Sequence, residues 1–233
     1  LPPVRLGQLT EGTADLFAGD EDLDGFSFAG LRFDELVWTG RRRLGSSRVD
    51  GATARSWRAP GALFSGSVLT GLDVLTLPAD GSGWRQVELL ESRVGSLELF
   101  GSTLRSVHFI GCRIGYANLR DTHLTDVAFT DCVIDDLDLM RATATRVALT
   151  GTRLRRLELT GAKLADFDLR GAQLAEVSGI EGLRGAIIST VLPDGSAARA
   201  GLKVGDVILK LDGKQVFDVS SLNRLVSTLV DKT

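Results

Sequence analysis

The chain has 233 residues, 43% hydrophobic and 24% charged, and its 27 basic and 30 acidic groups leave it at −3. That is the composition of a folded globular protein with room for one large or two modest domains, not of a disordered or collagen-like chain. No apolar run reaches the roughly 18 residues of a membrane-spanning helix, the charge gives no basic footprint for nucleic acid, and two cysteines cannot build a disulfide framework.

Residues 1–25 show no internal period and carry Glu11, Asp15, Asp20, Glu21, Asp22 and Asp24. No basic-then-apolar leader opens them, so the expected compartment is the reducing cytoplasm. From Phe26 a repeat begins: Phe26 and Phe28, then Leu31 and Phe33, follow one spacing. The same spacing resumes at Leu44 one residue out of phase, and residues 39–48, with Arg41, Arg42 and Arg43, absorb the slip.

From Leu44 every fifth residue is apolar, through Phe64, Trp84, Leu104, Leu124, Ala144 and Leu164 to Leu174, 27 positions without a break. Neither a helix (period 3.6) nor a plain strand (period 2) gives that pattern. Two residues earlier, small and larger residues alternate from Ser82 and Val87 through Cys112, Ala117, Cys132 and Leu137 to Ala172. Reading every twentieth residue gives nearly uniform columns: Val87, Val107, Val127, Val147; Leu99, Leu119, Leu139, Leu159; Phe109 over Phe129. Such columns predict coils of four five-residue sides, each lying on the one before, with like side chains in register.

Stretches such as Ala162-Lys-Leu-Ala-Asp, Phe167-Asp-Leu-Arg-Gly and Ala172-Gln-Leu-Ala-Glu resemble the A-(D/N)-L-x-x signature of pentapeptide-repeat proteins. The resemblance covers residues 26–178 and implies an all-β fold, a right-handed four-sided parallel β-helix. About seven coils from Leu44 to Glu176 would make a rod about 32 Å tall. Solenoids need polar caps over their open strand edges, so residues 1–25 are read as the N-terminal cap.

After Glu176 the period stops, and 179–184 form a junction. Gly185–Pro193 reads as a strand and Gly195–Leu202 as a short helix closed by Gly201. Val207–Leu211 and Lys214–Val216 read as a hairpin turning on Asp212-Gly213. Ser220 or Ser221 would cap a last helix, with Leu222, Leu225, Val226 and Leu229 at helical spacing. The string V-L-P-x-G-S-A-A-x-A-G-L-x-x-G-D-V-I-L-x-L-x-G-K-x-V, residues 191–216, resembles the middle of the PDZ domain of high-temperature-requirement serine proteases. That resemblance implies a small α+β segment over 185–233 and a peptide groove walled by Leu222 and Val226. The family's carboxylate-binding loop would precede Gly185, where repeats stand instead, so a partial domain from truncation or fusion is expected, with no measurable affinity for free C-terminal peptides.

The inventory gives no enzyme: no catalytic set, no metal or cofactor site. His108 and His123 fall at outward positions on different sides, and Cys112 and Cys132 stack as small core residues. Residues 1–180 are at −4 and 181–233 at +1. Asp126, Asp131, Asp135, Asp136 and Asp138 gather within about one coil. They are the candidate acidic partner surface if the chain follows the pentapeptide-repeat DNA mimics that occupy DNA gyrase and protect against quinolones. Arginine columns (Arg93, Arg113, Arg153) interrupt that acid, which favours a solvated mixed surface. Outward Leu90 and Ile110, and Phe100 with Met140 near another column, are the candidate apolar contact surface. The expected function is a non-catalytic scaffold that binds a protein partner or self-associates, with DNA gyrase as the alternative partner and a PDZ-type peptide adaptor as the second alternative. No direct nucleic-acid or membrane contact is expected.

Overall fold

The computed structural model of the chain describes residues 1–179, 186–188, 191–192, 195–202, 206–208, 210–216 and 219–230. Two parallel sheets share the repeats. One holds eight strands in unbroken succession, Arg32–Val37, Thr53–Arg58, Asp73–Pro78, Arg93–Glu98, Arg113–Asn118, Val133–Asp138, Arg153–Glu158 and Gln173–Ser178. The other contains longer strands that bend across two sides, Leu63–Thr70, Gly83–Leu90, Thr103–Ile110 and His123–Thr130, and continues in Thr143–Ala148 and Lys163–Asp168. The result is a β-solenoid of about eight turns, each lying on the last.

Register follows the twenty-residue columns: Val87 pairs with Val107, Val107 with Val127 and Val127 with Val147. Phe109 and Phe129 stack with ring centroids 4.5 Å apart and planes 5° from parallel. The central residues of all four sides of a turn, such as Leu104, Phe109, Ile114 and Leu119, are fully buried. A side five residues long must then be followed by a sharp corner, and most corners place one residue at positive φ. In one turn these are Gly101, Ser106 and Gly111; in the next they are Asp121, Asp126 and Asp131. Glycine and aspartate tolerate that left-handed region and β-branched residues do not, which explains the ten-residue recurrence of glycine.

The small residues of the alternating column form an internal polar ladder. Ser102 Oγ donates to the Ala79 carbonyl (3.2 Å) and Thr152 Oγ1 to that of Phe129 (3.0 Å). Cys112 Sγ donates to the Leu89 carbonyl (3.2 Å). Each hydroxyl or thiol finds a backbone acceptor inside the core, so that no buried O–H or S–H of these three is left unpaired. Cys112 and Cys132 are free thiols.

Below Leu44 the pairing offset is 21 residues, Ser27 with Arg48 and Arg32 with Thr53, whereas Arg43 pairs with Leu63 at 20. One extra residue therefore lies between Val37 and Arg43. Here Arg42, itself buried, donates to the carbonyls of Glu21 (2.7 Å), Phe17 (2.9 Å) and Leu16 (2.9 Å), and its guanidinium lies 4.5 Å from the Trp38 ring centre. The segment 1–25 divides into distinct parts. The short helix Ala14–Ala18, capped by Thr13, drives Phe17 into the end of the core against Phe28, Trp38 and Trp57. Leu23–Asp24 already pairs in the sheet, while residues 1–9 hold no strand or helix.

In the C-terminal segment Ala186–Ile187 pairs antiparallel with Val207–Ile208. The hairpin Lys210–Leu211/Lys214–Gln215 turns on Asp212 and Gly213, both at positive φ, as the mirror-image turn requires. The helix Ser196–Arg199 ends ahead of Gly201 at φ 82°. The last helix spans Val219–Val230, so Ser220 and Ser221 lie inside its first turn and neither is its cap. Of the predicted strand 185–193 only Ala186–Ile187 is a strand among the described residues, and the junction 179–184 lies outside them except for Gly179.

Candidate functional site

The five candidate aspartates wind around three sides of one turn. Asp126 and Asp131 are corner residues with φ of 55° and 52°. Asp126 is held by Arg146, one turn on, in a two-bond pair whose Nη2–Oδ2 arm is 2.8 Å. Arg156 Nη1 lies 2.9 Å from Asp136 Oδ2. Asp138 is buried, accepting from Arg120 Nε at 2.6 Å and from the Met140 backbone N–H at 3.0 Å. Asp131 and Asp135 alone of the five stand exposed, with no bonded partner among the described residues. The cluster is therefore not an open acidic face. The Arg146 hydrogen bond holds the Asp126 carboxyl below the usual carboxylate range. Burial, with Asp138 beside it, pushes the Tyr116 hydroxyl up.

Two rules seen in the structure escaped the sequence reading. Outward acids pair with arginines twenty residues later: the corner residues Asp121 and Asp126 with Arg141 and Arg146, and Asp136, within its strand, with Arg156. Carboxylates and amides ending a side accept the backbone N–H two residues downstream: Asn118 from Arg120, Asp138 from Met140, Glu158 from Thr160 and Asp168 from Arg170. The twenty-residue spacing applied to charged columns would have found the first. The second was present as the recurrent Asp, Asn or Glu after each central-minus-two residue.

Leu90 and Ile110 are in register and half-buried, flanked in their column by Thr70 and Thr130. In the adjoining column Val68 and Glu88 are buried, and His108 follows half-buried with Nε2 2.8 Å from Thr130 Oγ1. Burial holds the His108 imidazole below its ordinary 6.5. His123 is exposed on another side. Phe100 is 46% exposed and Met140 half-buried, but Arg120 stands between them in the column, so the two do not make one apolar patch. Leu75, the most exposed large apolar side chain of the solenoid at 60%, was not singled out from sequence.

On the last helix Leu222 is half-buried and Val226 is 43% exposed, four residues apart on one side. The helix lies against the strands Ala186–Ile187 and Lys210–Leu211. Among the described residues no three His, Cys, Asp or Glu side chains converge as metal ligands.

The fold and its corners define a β-solenoid of five-residue sides, followed by a small segment of short strands and helices. Residues 102–178 match the family described as pentapeptide repeat region, and residues 187–232 match the PDZ domain family. The second match is seen in sequence relatives too. The chain is 52% identical over 54 residues to a probable periplasmic serine endoprotease DegP-like of Pseudomonas fulva, covering 23% of this chain and 11% of that protein. It is 46% identical over 50 residues to the periplasmic serine endoprotease DegP of Escherichia coli, covering 22% and 10%. The chain thus spans about a tenth of the length of these curated relatives. Among solved structures it is similar to HetL, a pentapeptide repeat protein involved in heterocyst differentiation regulation from the cyanobacterium Nostoc, at 16% identity and a TM-score of 0.27, over 71% of this chain and 95% of that one. It is similar also to QnrB1, a plasmid-mediated fluoroquinolone resistance protein, at 15% identity and a TM-score of 0.26, over 70% and 94%.

Proposed function

We propose that the protein is a non-catalytic scaffold that binds other proteins through the outer columns of its solenoid. One observation carries this reading. The strict register of successive turns fixes outward side chains in straight rows about 4.8 Å apart, an arrangement that matches an extended surface or chain better than a small substrate. Crosslinking the full chain to the proteins it co-purifies with is the test. Crosslinks confined to outward columns are expected, and reversal of charge at Arg93 and Arg113, or replacement of Leu90 and Ile110 by aspartate, should remove a subset of them. A turnover reaction abolished by a single substitution would overturn the reading.

The proposal does not extend to occupation of DNA gyrase by DNA mimicry. A mimic needs a long unbroken acidic face to exploit a positive channel, and Asp126, Asp136 and Asp138 are already bonded to Arg146, Arg156 and Arg120. Supercoiling by gyrase is expected to proceed unchanged in the presence of the protein.

A further inference from the structure

Residues 1–9 are not part of any sheet, yet they do not leave the molecule. Glu11 pairs with Ser27, and the column above Ser27 runs through Arg48 and Val68 to Glu88. The Val4 backbone N–H donates to Glu88 Oε1 at 3.1 Å, across 84 residues of sequence. The segment from Thr10 back to Val4 therefore climbs about four strand spacings, roughly 19 Å at the spacing of stacked strands. Six residues can cover about 20 Å when extended, so this is a nearly straight strap lying along the solenoid and across its strands. Val4, Leu6 and Leu9 are half-buried while their neighbours Pro3, Arg5 and Gln8 are exposed.

The surface under the strap differs from the other sides. Outward columns elsewhere mix arginines and acids with single apolar residues such as Leu75 and Phe100; here Val68, Leu90, Ile110 and Ala128 adjoin one another, with Glu88 and His108 among them. Val68 and Glu88 are 4% and 9% exposed although their positions point out of the solenoid. The strap is nonetheless loosely held. Among the described residues the Val4–Glu88 bond is the one hydrogen bond residues 1–9 make. In the adjacent column the Thr70 hydroxyl is buried without any hydrogen-bond partner. A buried polar atom left unpaired is a cost that a better-fitting occupant would remove.

We propose that this side of the solenoid is a docking groove for an extended apolar segment of a protein partner, and that residues 1–9 fill it in cis as an exchangeable strap. The inference rests on the protein-binding reading above and names one surface for it. The ligand chemistry is set by what already lies there: apolar side chains at alternate positions, and a backbone N–H presented to the Glu88 carboxylate. A hydroxyl or carbonyl able to reach Thr70 would improve on the strap.

The test uses the synthetic nonapeptide of residues 1–9, dye-labelled, titrated by fluorescence polarisation against the chain lacking residues 1–8. The same titration is made with the full-length double variant Val4→Asp/Leu6→Asp, in case the shortened chain does not fold; thermal melting checks both. Both proteins are expected to bind the peptide, the intact chain at least about tenfold more weakly because its own strap competes. Adding Glu88→Ala to either should weaken binding by about tenfold, and a nonapeptide carrying Val4→Asp should not bind. If folded proteins of both kinds ignore the peptide, or if the intact chain binds it equally well, the groove is refuted. Such a failure leaves the scaffold reading to the other columns, where crosslinks would still form.

Discussion

The two ends of the core are packed by different means. In the turns up to Trp84 the interior is aromatic: Phe17 meets Phe28 at 4.8 Å, Trp38 at 5.1 Å and Trp57 at 5.4 Å, and Phe64 stacks on Trp84 at 4.3 Å. From Leu89 onward the core is a set of repeated leucine, valine and isoleucine columns, with Phe109 and Phe129 as a single matched pair. The difference follows the register. At the 21-residue turn most columns join unlike side chains, Phe28 with Val49, Phe33 with Ala54 and Leu36 with Trp57, and large rings fill the uneven space, the last of them being Phe64 and Trp84, already paired at 20. Beyond Trp84, after the register has settled at 20, like mostly stacks on like and small aliphatic groups suffice. Irregular backbone is stabilised by bulky individual contacts, regular backbone by repetition.

That contrast is sharpened by substitution. Phe17→Ala should have the largest effect, about 3–5 kcal/mol in urea unfolding, because Phe17 is shared by four aromatic neighbours and closes the end of the stack. Arg42→Ala should follow at about 2–3 kcal/mol, since it removes the guanidinium's hydrogen bonds to the Glu21 and Leu16 carbonyls and leaves the Phe17 carbonyl with the Trp38 indole N–H alone. Arg42→Lys should rescue little, because an ammonium cannot reproduce the planar fork. Phe129→Leu in the regular half should cost less, about 1–1.5 kcal/mol. If Phe129→Leu proved as damaging as Phe17→Ala, the division of the core would be wrong.

Two smaller effects probe the surface. Burial keeps His108 below its ordinary 6.5, so the unfolded chain takes up that proton more readily. Its contribution is complete above about pH 6.5 and is lost as pH falls through the lower folded value. Melting curves from pH 7.5 to 5 should therefore show a loss that His108→Gln reduces. Arg146→Ala, breaking the pair with Asp126, should change the melting temperature least, because both groups are partly exposed and solvent screens the pair. A large effect there would mean that corner pairs, not the core columns, hold the turns together.

The solenoid was legible in the sequence because each turn recreates one backbone environment, so one class of side chain returns at each fifth position. Even the slip between residues 39 and 48 showed as a change of phase. The acidic cluster was legible as composition but not as chemistry. Asp126 and Asp131 are where they are because a corner needs positive φ, and Asp138 because a backbone N–H needs an acceptor. Phe17 and the strap were hidden for the opposite reason. They occur once, and their places are set by contacts with Trp38 and Glu88, far away in sequence. Leu90 and Ile110 could be identified as unusual outward residues, yet nothing in the period said that Val4 would lie alongside.

The extra residue between Val37 and Arg43 has one more consequence. Above it the turns are interchangeable modules: removing residues 103–122 would bring Gly83–Leu90 onto His123–Thr130 with every column intact. Below it no module can be exchanged, because Arg42 and Phe17 fit one place only. The length of this rod can therefore change in whole steps of twenty residues at one end, while the other end is an anchor from which all such variants must be counted.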